Sequence, residues 1–222
     1  MSMKATYRTI GEAWLMVSQA CLATGRTYTI ERGSMVGHQR KQLDFLAFAI
    51  MHPETRPLGI EYRGQGISTD EGIQLYFTDY LISPEVAKNE AYTYGSRIEP
   101  FLSIVAEILK TTPSTNQAII EVGRPEDILL DDPPCLRLLS WKVIPIGLQL
   151  TTFWRSWDVY AALPVNLGGL QLLNETVAEW VGLEPGPLVC YSDGAHVYDY
   201  CWGLIDLPES GPIIPLRNPC FP

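Results

Sequence analysis

The chain has 222 residues, 46% of them hydrophobic, so one domain spanning 1–222 with a sizeable core is expected. A formal net charge of −9 argues against a nonspecific nucleic-acid or membrane-surface binder, and an anionic small ligand then needs a locally basic site. No run is long and apolar enough to cross a membrane, and the opening MSMKATYRTIGEAWLMV lacks a continuous apolar leader, so a cytoplasmic protein is expected.

TIGEAWLMVSQACLATG (9–25) spaces apolar residues at helical intervals and stops at Gly25, which predicts a helix. QLDFLAFAIMHP (42–53) reads as one strand ended by a proline. DEGIQLYFTDYLIS (70–83) and SRIEPFLSIVAEILKTTPS (96–114) read as helices, the second amphipathic and ended near Pro113. QAIIEVG (117–123) reads as a short buried strand. LRLLSWKVIPIGLQLTTFWRS (136–156) reads as two strands joined at PIG. NLGGLQLLNETVAEWVGLEPG (166–186) carries the longest helical pattern, with Leu170, Leu173, Val177 and Trp180 on one apolar side and a stop at Gly182. PLVCYSDGAHVYDYCWGLI (187–205) reads as strand, and PESGPIIPLRNPCFP (208–222) as an extended tail. Helices and strands mix without a regular βαβ alternation, so the fold class is α+β. Charged residues are only 18%, and the six Trp and eleven Tyr suggest surface buried against a partner.

The five cysteines are odd in number and form no CxxC pair, which implies a reducing compartment and no zinc site. The histidines His38, His52 and His196 are scattered and give no metal constellation. Cys21 sits on an apolar helix face and reads as core; Cys190, Cys201 and Cys220 read as inert thiols. Cys135 differs, because it directly follows Pro133 and Pro134. Two prolines fix φ and rule out helix just before it, so the cysteine occupies a rigid corner. A thiol has an ordinary pKa of about 8.5 and needs a nearby cation to be thiolate at neutral pH. Arg137 and Arg155 are the candidates, and Arg155 returns beside Cys135 if the strands pair across PIG. In RSWD (155–158), Arg155 and Ser156 suit a phosphate clamp, against the plainer reading of a surface charge cluster.

Four spacings change the weight of these fragments. RSWD begins twenty positions after Cys135, LPVN ends at Asn166 eleven after Arg155, and HVY begins at His196, thirty after Asn166. Together they resemble the thymidylate synthase family, whose pattern is a Pro-Cys nucleophile, R-S-x-D, P-F-N and H-x-Y at these intervals. The similarity runs over residues 113–200; YTYGSR (92–97) resembles the family's Y-G segment, and GRTYTIERGSMVGHQ (25–39) its R-T-G…G-H-Q opening.

The resemblance implies a mixed or antiparallel sheet packed by helices and a sheet-mediated homodimer. It implies that Cys135 attacks C6 of a pyrimidine nucleotide such as dUMP, with Arg155, Ser156 and Arg26 on the phosphate. Asn166 pairs with the uracil edge, and His196 and Tyr198 hold the ribose 3′-hydroxyl. Asp158 contacts the pterin of the methylene carrier, methylene-tetrahydrofolate or a related methylene-tetrahydropterin, and Tyr94 joins the proton-transfer network. No metal is implied. The same covalent intermediate also serves a hydroxymethylase, and a non-catalytic nucleotide binder would keep the same pocket.

The chain departs from the family pattern at several points. STNQAII (114–120) has Thr115, Asn116 and Gln117 where the family carries arginines that reach the phosphate across the dimer; Arg137 or Arg124 are the possible substitutes. Ser140 stands at the family's glutamine, and SDG (192–194) at its G-G-D. The stretch 50–92 lacks the family's H-E-L-L-W helix, which leaves Glu54 or Glu61 for the catalytic glutamate. This compact form resembles the archaeal-type branch, for which a nonstandard pterin carrier is an open alternative.

Overall fold

The computed structural model describes residues 2–86, 88 and 90–207, so the proline-rich stretch 208–222 and Cys220 lie outside the described residues. The chain opens with β1 (Ser2–Tyr7) and α1 (Ile10–Thr24). Thr9 caps α1, its hydroxyl accepting from the Glu12 N–H. The helix stops at Gly25, where a Cβ would lie 2.4 Å from the Cys21 carbonyl oxygen, so only glycine lets the chain leave there. β2 (Arg26–Thr29) and β3 (Gln39–Leu43) follow as an antiparallel pair.

The single strand expected over 42–53 is two strands. β3 ends at Leu43 and β4 (Phe45–Ile50) begins after Asp44, each in a different sheet. A single charged residue, Asp44, marks the crossing, and one such residue within a strand pattern does not reveal it. β1 was not legible either: it is an edge strand, and of its residues with described burial Ala5 and Tyr7 are buried on either side of the exposed Thr6.

A short hairpin, β5 (Ile60–Tyr62) and β6 (Gln65–Ser68), leads to α2 (Asp70–Tyr76), which runs on as a π-helical turn over Phe77–Leu81. Next come α3 (Gly95–Thr111), β7 (Ile119–Glu121), the hairpin β8 (Leu136–Ile144) and β9 (Gly147–Trp154), and the two-residue β10 (Trp157–Asp158). α4 (Ala162–Val181), β11 (Pro185–Ser192) and β12 (Ala195–Tyr198) complete the fold. The β8–β9 turn at PIG uses Gly147 at φ 126°, and α4 ends on Gly182 at φ 82°, whose N–H bonds the Ala178 carbonyl. β7 is a surface-edge strand in which only Ile120 is buried, rather than the buried strand expected over 117–123.

Six strands form one mixed sheet in the order β1-β4-β11-β9-β8-β7, and four form a second, β10-β12-β3-β2. The α+β expectation holds. β9 alternates strictly: Leu148, Leu150, Thr152 and Trp154 face the helices and are buried. From α4, Leu170, Leu173 and Val177 enter the same core at 0% exposure, each contributing about 1.5–3 kcal/mol. Trp180, placed on that face by the sequence pattern, is instead 44% exposed at the penultimate position of the helix, while Val181 and Leu183 beside it still pack against the core.

Candidate active site

The site begins with the hairpin. β8 and β9 pair antiparallel, so their open ends bring the residue before β8 beside the residue after β9. The Arg155 N–H donates to the Cys135 carbonyl at 2.9 Å. The Arg155 side chain turns onto the same corner: Nε donates to the Pro134 carbonyl at 3.1 Å, and a terminal nitrogen donates to the Pro133 carbonyl. Asp132 lies 3.5 Å from that guanidinium. The two prolines thus present adjacent carbonyls that one guanidinium clasps, and the clasp sets Cys135. One edge of the Arg155 fork is engaged this way, leaving the remaining nitrogen for a ligand.

The turn between β11 and β12 closes the other side. A Cβ on Gly194 would lie 2.6 Å from the Arg155 carbonyl oxygen, so glycine is required for that approach. The Gly194 carbonyl accepts from Trp157 N–H at 3.1 Å and from His196 Nδ1 at 2.8 Å. A carbonyl only accepts, so Nδ1 carries the proton and Nε2 offers a lone pair. Nε2 is buried with no partner among the described residues. Burial, above all, holds the imidazole down at about 4, so it is neutral throughout the physiological range.

These residues line a cavity of about 570 Å³, within the ~300–1,000 Å³ typical of small-molecule sites. Cys135, Arg155, Ser156, Asp158, Asn166, His196, Tyr198 and Tyr94 all line it. Asn166 is fixed by Trp157, whose indole N–H donates to Oδ1 at 3.0 Å. An indole can only donate, so the amide orientation is determined and Nδ2 is left as a donor. Trp157 itself stacks on Trp154 at 4.6 Å. Asp158 Oδ1 accepts from the N–H groups of Tyr160 and Ala161, and burial raises its pKa despite both bonds. Tyr94 accepts from the Leu136 N–H at 3.2 Å, next to the cysteine. Gly95 lets α3 start against Ser83, whose carbonyl oxygen would lie 2.1 Å from a Cβ, and so seats Tyr94.

Several sequence-stated candidates fall elsewhere. Arg26 does not line the cavity; its exposed guanidinium pairs with Asp44 at 2.6 Å. Arg137 reaches Asp127 at 3.4 Å, and neither it nor Arg124 lines the cavity. Asp127 is already held by the buried Arg97 through two bonds of 2.7 Å, which anchors the segment leading to the Cys135 corner. Glu54 pairs with His52 on the surface, Glu61 is exposed on β5, and no glutamate is among the described residues lining the cavity. His38 bonds Asp199 on the surface. Sequence reasoning passed over Arg32 and Arg40, which do line the cavity, as do Tyr76 and Tyr80. Arg40 sits opposite Tyr198 across β3–β12, and its Nε is buried without a partner among the described residues. A strand register joining residues this far apart leaves no local sequence signal.

The thiol also differs from expectation. Burial raises the Cys135 pKa, and Arg155, with help from the Ser156 hydroxyl, only partly offsets it while Asp132 pushes the same way as burial. The free protein therefore holds a thiol at neutral pH, because the guanidinium meant to lower it is shared with two carbonyls and Asp132. Iodoacetamide alkylation of Cys135 should rise about tenfold per pH unit and still be climbing at pH 9. Peptide mapping across pH 6–9 checks this; a plateau below pH 8 would show a thiolate already formed. Cys21, Cys190 and Cys201 are buried and their pKa values are raised by that burial, so they should stay unlabelled.

The family model for thymidylate synthase matches residues 87–205, which contain the Cys135 corner, Asn166 and the β11–β12 turn. A Methanosarcina mazei protein named "Putative thymidylate synthase" is 32% identical over 206 residues, covering 90% of this chain and 91% of its own. Archaeal proteins of the same name from Methanopyrus kandleri and Methanothermobacter marburgensis are 38% identical over 146 residues and 28% over 207. The fold is a mixed sheet backed by helices, with Cys135 among the residues lining its cavity. The chain belongs to the thymidylate synthase family.

Proposed function

We propose that the chain transfers a one-carbon unit from a methylene-tetrahydropterin, methylene-tetrahydrofolate or a relative, to C5 of dUMP and reduces it to methyl. The observation that carries this is the convergence in one cavity of Cys135, a fixed Asn166 donor and a neutral His196 with a free lone pair. C5 of uracil is a poor nucleophile. Cys135 adds to C6 as its thiolate, the S–H proton having passed to solvent from which it returns when the bond later breaks; the new S–C6 bond moves the ring's electrons toward O4, so that C5 becomes the nucleophile. Asn166 Nδ2 donates to O4 as charge gathers there. His196 Nε2 accepts from the ribose 3′-hydroxyl, with Tyr198 beside it, and the free edge of Arg155 with Ser156 takes the phosphate. Tyr94, beside Cys135, relays the proton that leaves C5. Breaking the S–C6 bond returns the thiol.

When bound, the carrier supplies the methylene carbon and the hydride. Asp158 suits its pterin: a buried carboxyl whose Oδ1 alone is occupied, with capacity left to hold a ring N–H. A second reading, a hydroxymethylase in which water captures the exocyclic methylene, is favoured by Ser140, which stands at the family's glutamine and does not line the cavity. A non-catalytic binder is favoured by the lack of a lining glutamate among the described residues. Product mass from dUMP with several methylene-pterin donors separates the three: dTMP supports the proposal, hydroxymethyl-dUMP the second reading, and unchanged dUMP the third.

The protein works as a cytoplasmic homodimer in this reading, joined through the face of the large sheet turned away from the helices. Leu138, Phe153 and Tyr191 form a partly exposed apolar row across β8, β9 and β11 on that face. No described helix is long and apolar enough to cross a membrane.

A further inference from the structure

No glutamate is among the described residues lining the cavity, which leaves the ring oxygen with few donors, and α2 supplies one. We propose that Tyr76 is a catalytic residue whose hydroxyl donates a hydrogen bond to O4 of the pyrimidine, beside Asn166. The inference rests on the reading above.

Five observations carry it. Tyr76 lines the cavity that holds Cys135 and Asn166. Its hydroxyl is fully buried and meets no partner at hydrogen-bonding geometry among the described residues, although the Asn166 side chain lies close enough to act on it. A buried, unpaired hydroxyl is costly to keep, which points to a ligand atom as its partner. The ring is seated deliberately against α4: a Cβ on Gly169 would lie 2.7 Å from Tyr76 Cδ1, so the glycine three residues after Asn166 makes room for it. Tyr80 stacks on Tyr76 at 5.8 Å and meets Tyr94 edge-on at 5.2 Å, which holds both phenols in one wall of the cavity. The helix also changes to π geometry directly after Tyr76, a distortion often found at functional sites.

The electrostatics fit a donor and not a base. Burial drives the Tyr76 pKa far up, and the Asn166 side chain only partly opposes it. The phenol keeps its proton at any working pH. It therefore cannot remove the C5 proton, but it can donate to the oxygen that gains charge when Cys135 adds to C6, as an oxyanion-hole donor does.

The test is Tyr76→Phe, which keeps the ring and removes only the oxygen. With dUMP, kcat should fall on the order of 10²-fold, the usual loss for one oxyanion donor, while dUMP affinity changes by less than about threefold. With 4-thio-dUMP, whose sulfur accepts hydrogen bonds weakly, the loss should shrink to about tenfold or less. The melting temperature should hold or rise, because the deleted hydroxyl is unpaired in the free protein. An unchanged kcat, an equal loss with both nucleotides, or a lowered melting temperature would each overturn the assignment. Adduct formation between wild-type Cys135 and 5-fluoro-dUMP separates this from the broader reading. If the wild type forms no adduct, that reading fails; if it does and Tyr76→Phe turns over normally, only the role of Tyr76 fails.

Discussion

Cys135→Ser should eliminate the covalent adduct with 5-fluoro-dUMP and lower turnover by a factor on the order of 10⁴ or more. Fluorine at C5 cannot leave as a proton does, so the wild-type protein, given a methylene donor, is expected to stop at a stable S–C6 adduct. Intact mass reads the adduct directly. Serine keeps the corner, since the clasp is made from the Pro133, Pro134 and Cys135 carbonyls and uses no atom of the Cys135 side chain. The variant should therefore fold and bind dUMP. An alkoxide is far less accessible than a thiolate at the same pH, which is why the substitution removes chemistry rather than binding. An adduct persisting in Cys135→Ser would assign the nucleophile to another residue.

Arg155→Ala should weaken dUMP binding about ten- to a hundred-fold and leave deoxyuridine binding nearly unchanged. The phosphate is a dianion, and the chain as a whole carries −9. Local cations must outweigh that field, and Arg32, Arg40 and Arg155 are the arginines lining the cavity. A charge-assisted hydrogen bond contributes about 1.5–3 kcal/mol, which sets the expected range. The same side chain also clasps the Cys135 corner, so a purely structural role predicts equal losses for both ligands. Calorimetric titration of dUMP and deoxyuridine against both proteins separates the cases. Equal losses would assign the phosphate to Arg32 and Arg40 and leave Arg155 as the brace of the cysteine.

The β8–β9 hairpin was legible in the sequence. Pairing across PIG brings Arg155 to Cys135, and the structure makes that contact at 2.9 Å. The helices over 9–25, 96–114 and 166–186 were equally legible, because each has a periodic face and a terminal stop that act within a few residues. That Asn166, Asp158, His196 and Tyr198 would line one cavity was legible only through their spacing, since nothing local distinguishes a cavity-lining asparagine from a core one.

Other features depend on contacts between distant segments. The split of 42–53 at Asp44 was hidden because one charged residue marks it and only the neighbouring strands assign the two halves to different sheets. Arg26 and Arg32 are six residues apart in one basic stretch; the first is taken by Asp44, and the second reaches the cavity. Composition alone determined the large core, the acidic surface and the need for a compensating basic site. Local order determined the helices, the hairpin and the rigid corner at Cys135. Whether the thiol ionises and which arginines line the cavity were decided only by the tertiary structure. Burial, shared hydrogen bonds and charge depend on what the fold brings within a few ångströms, and no single stretch of chain contains that information.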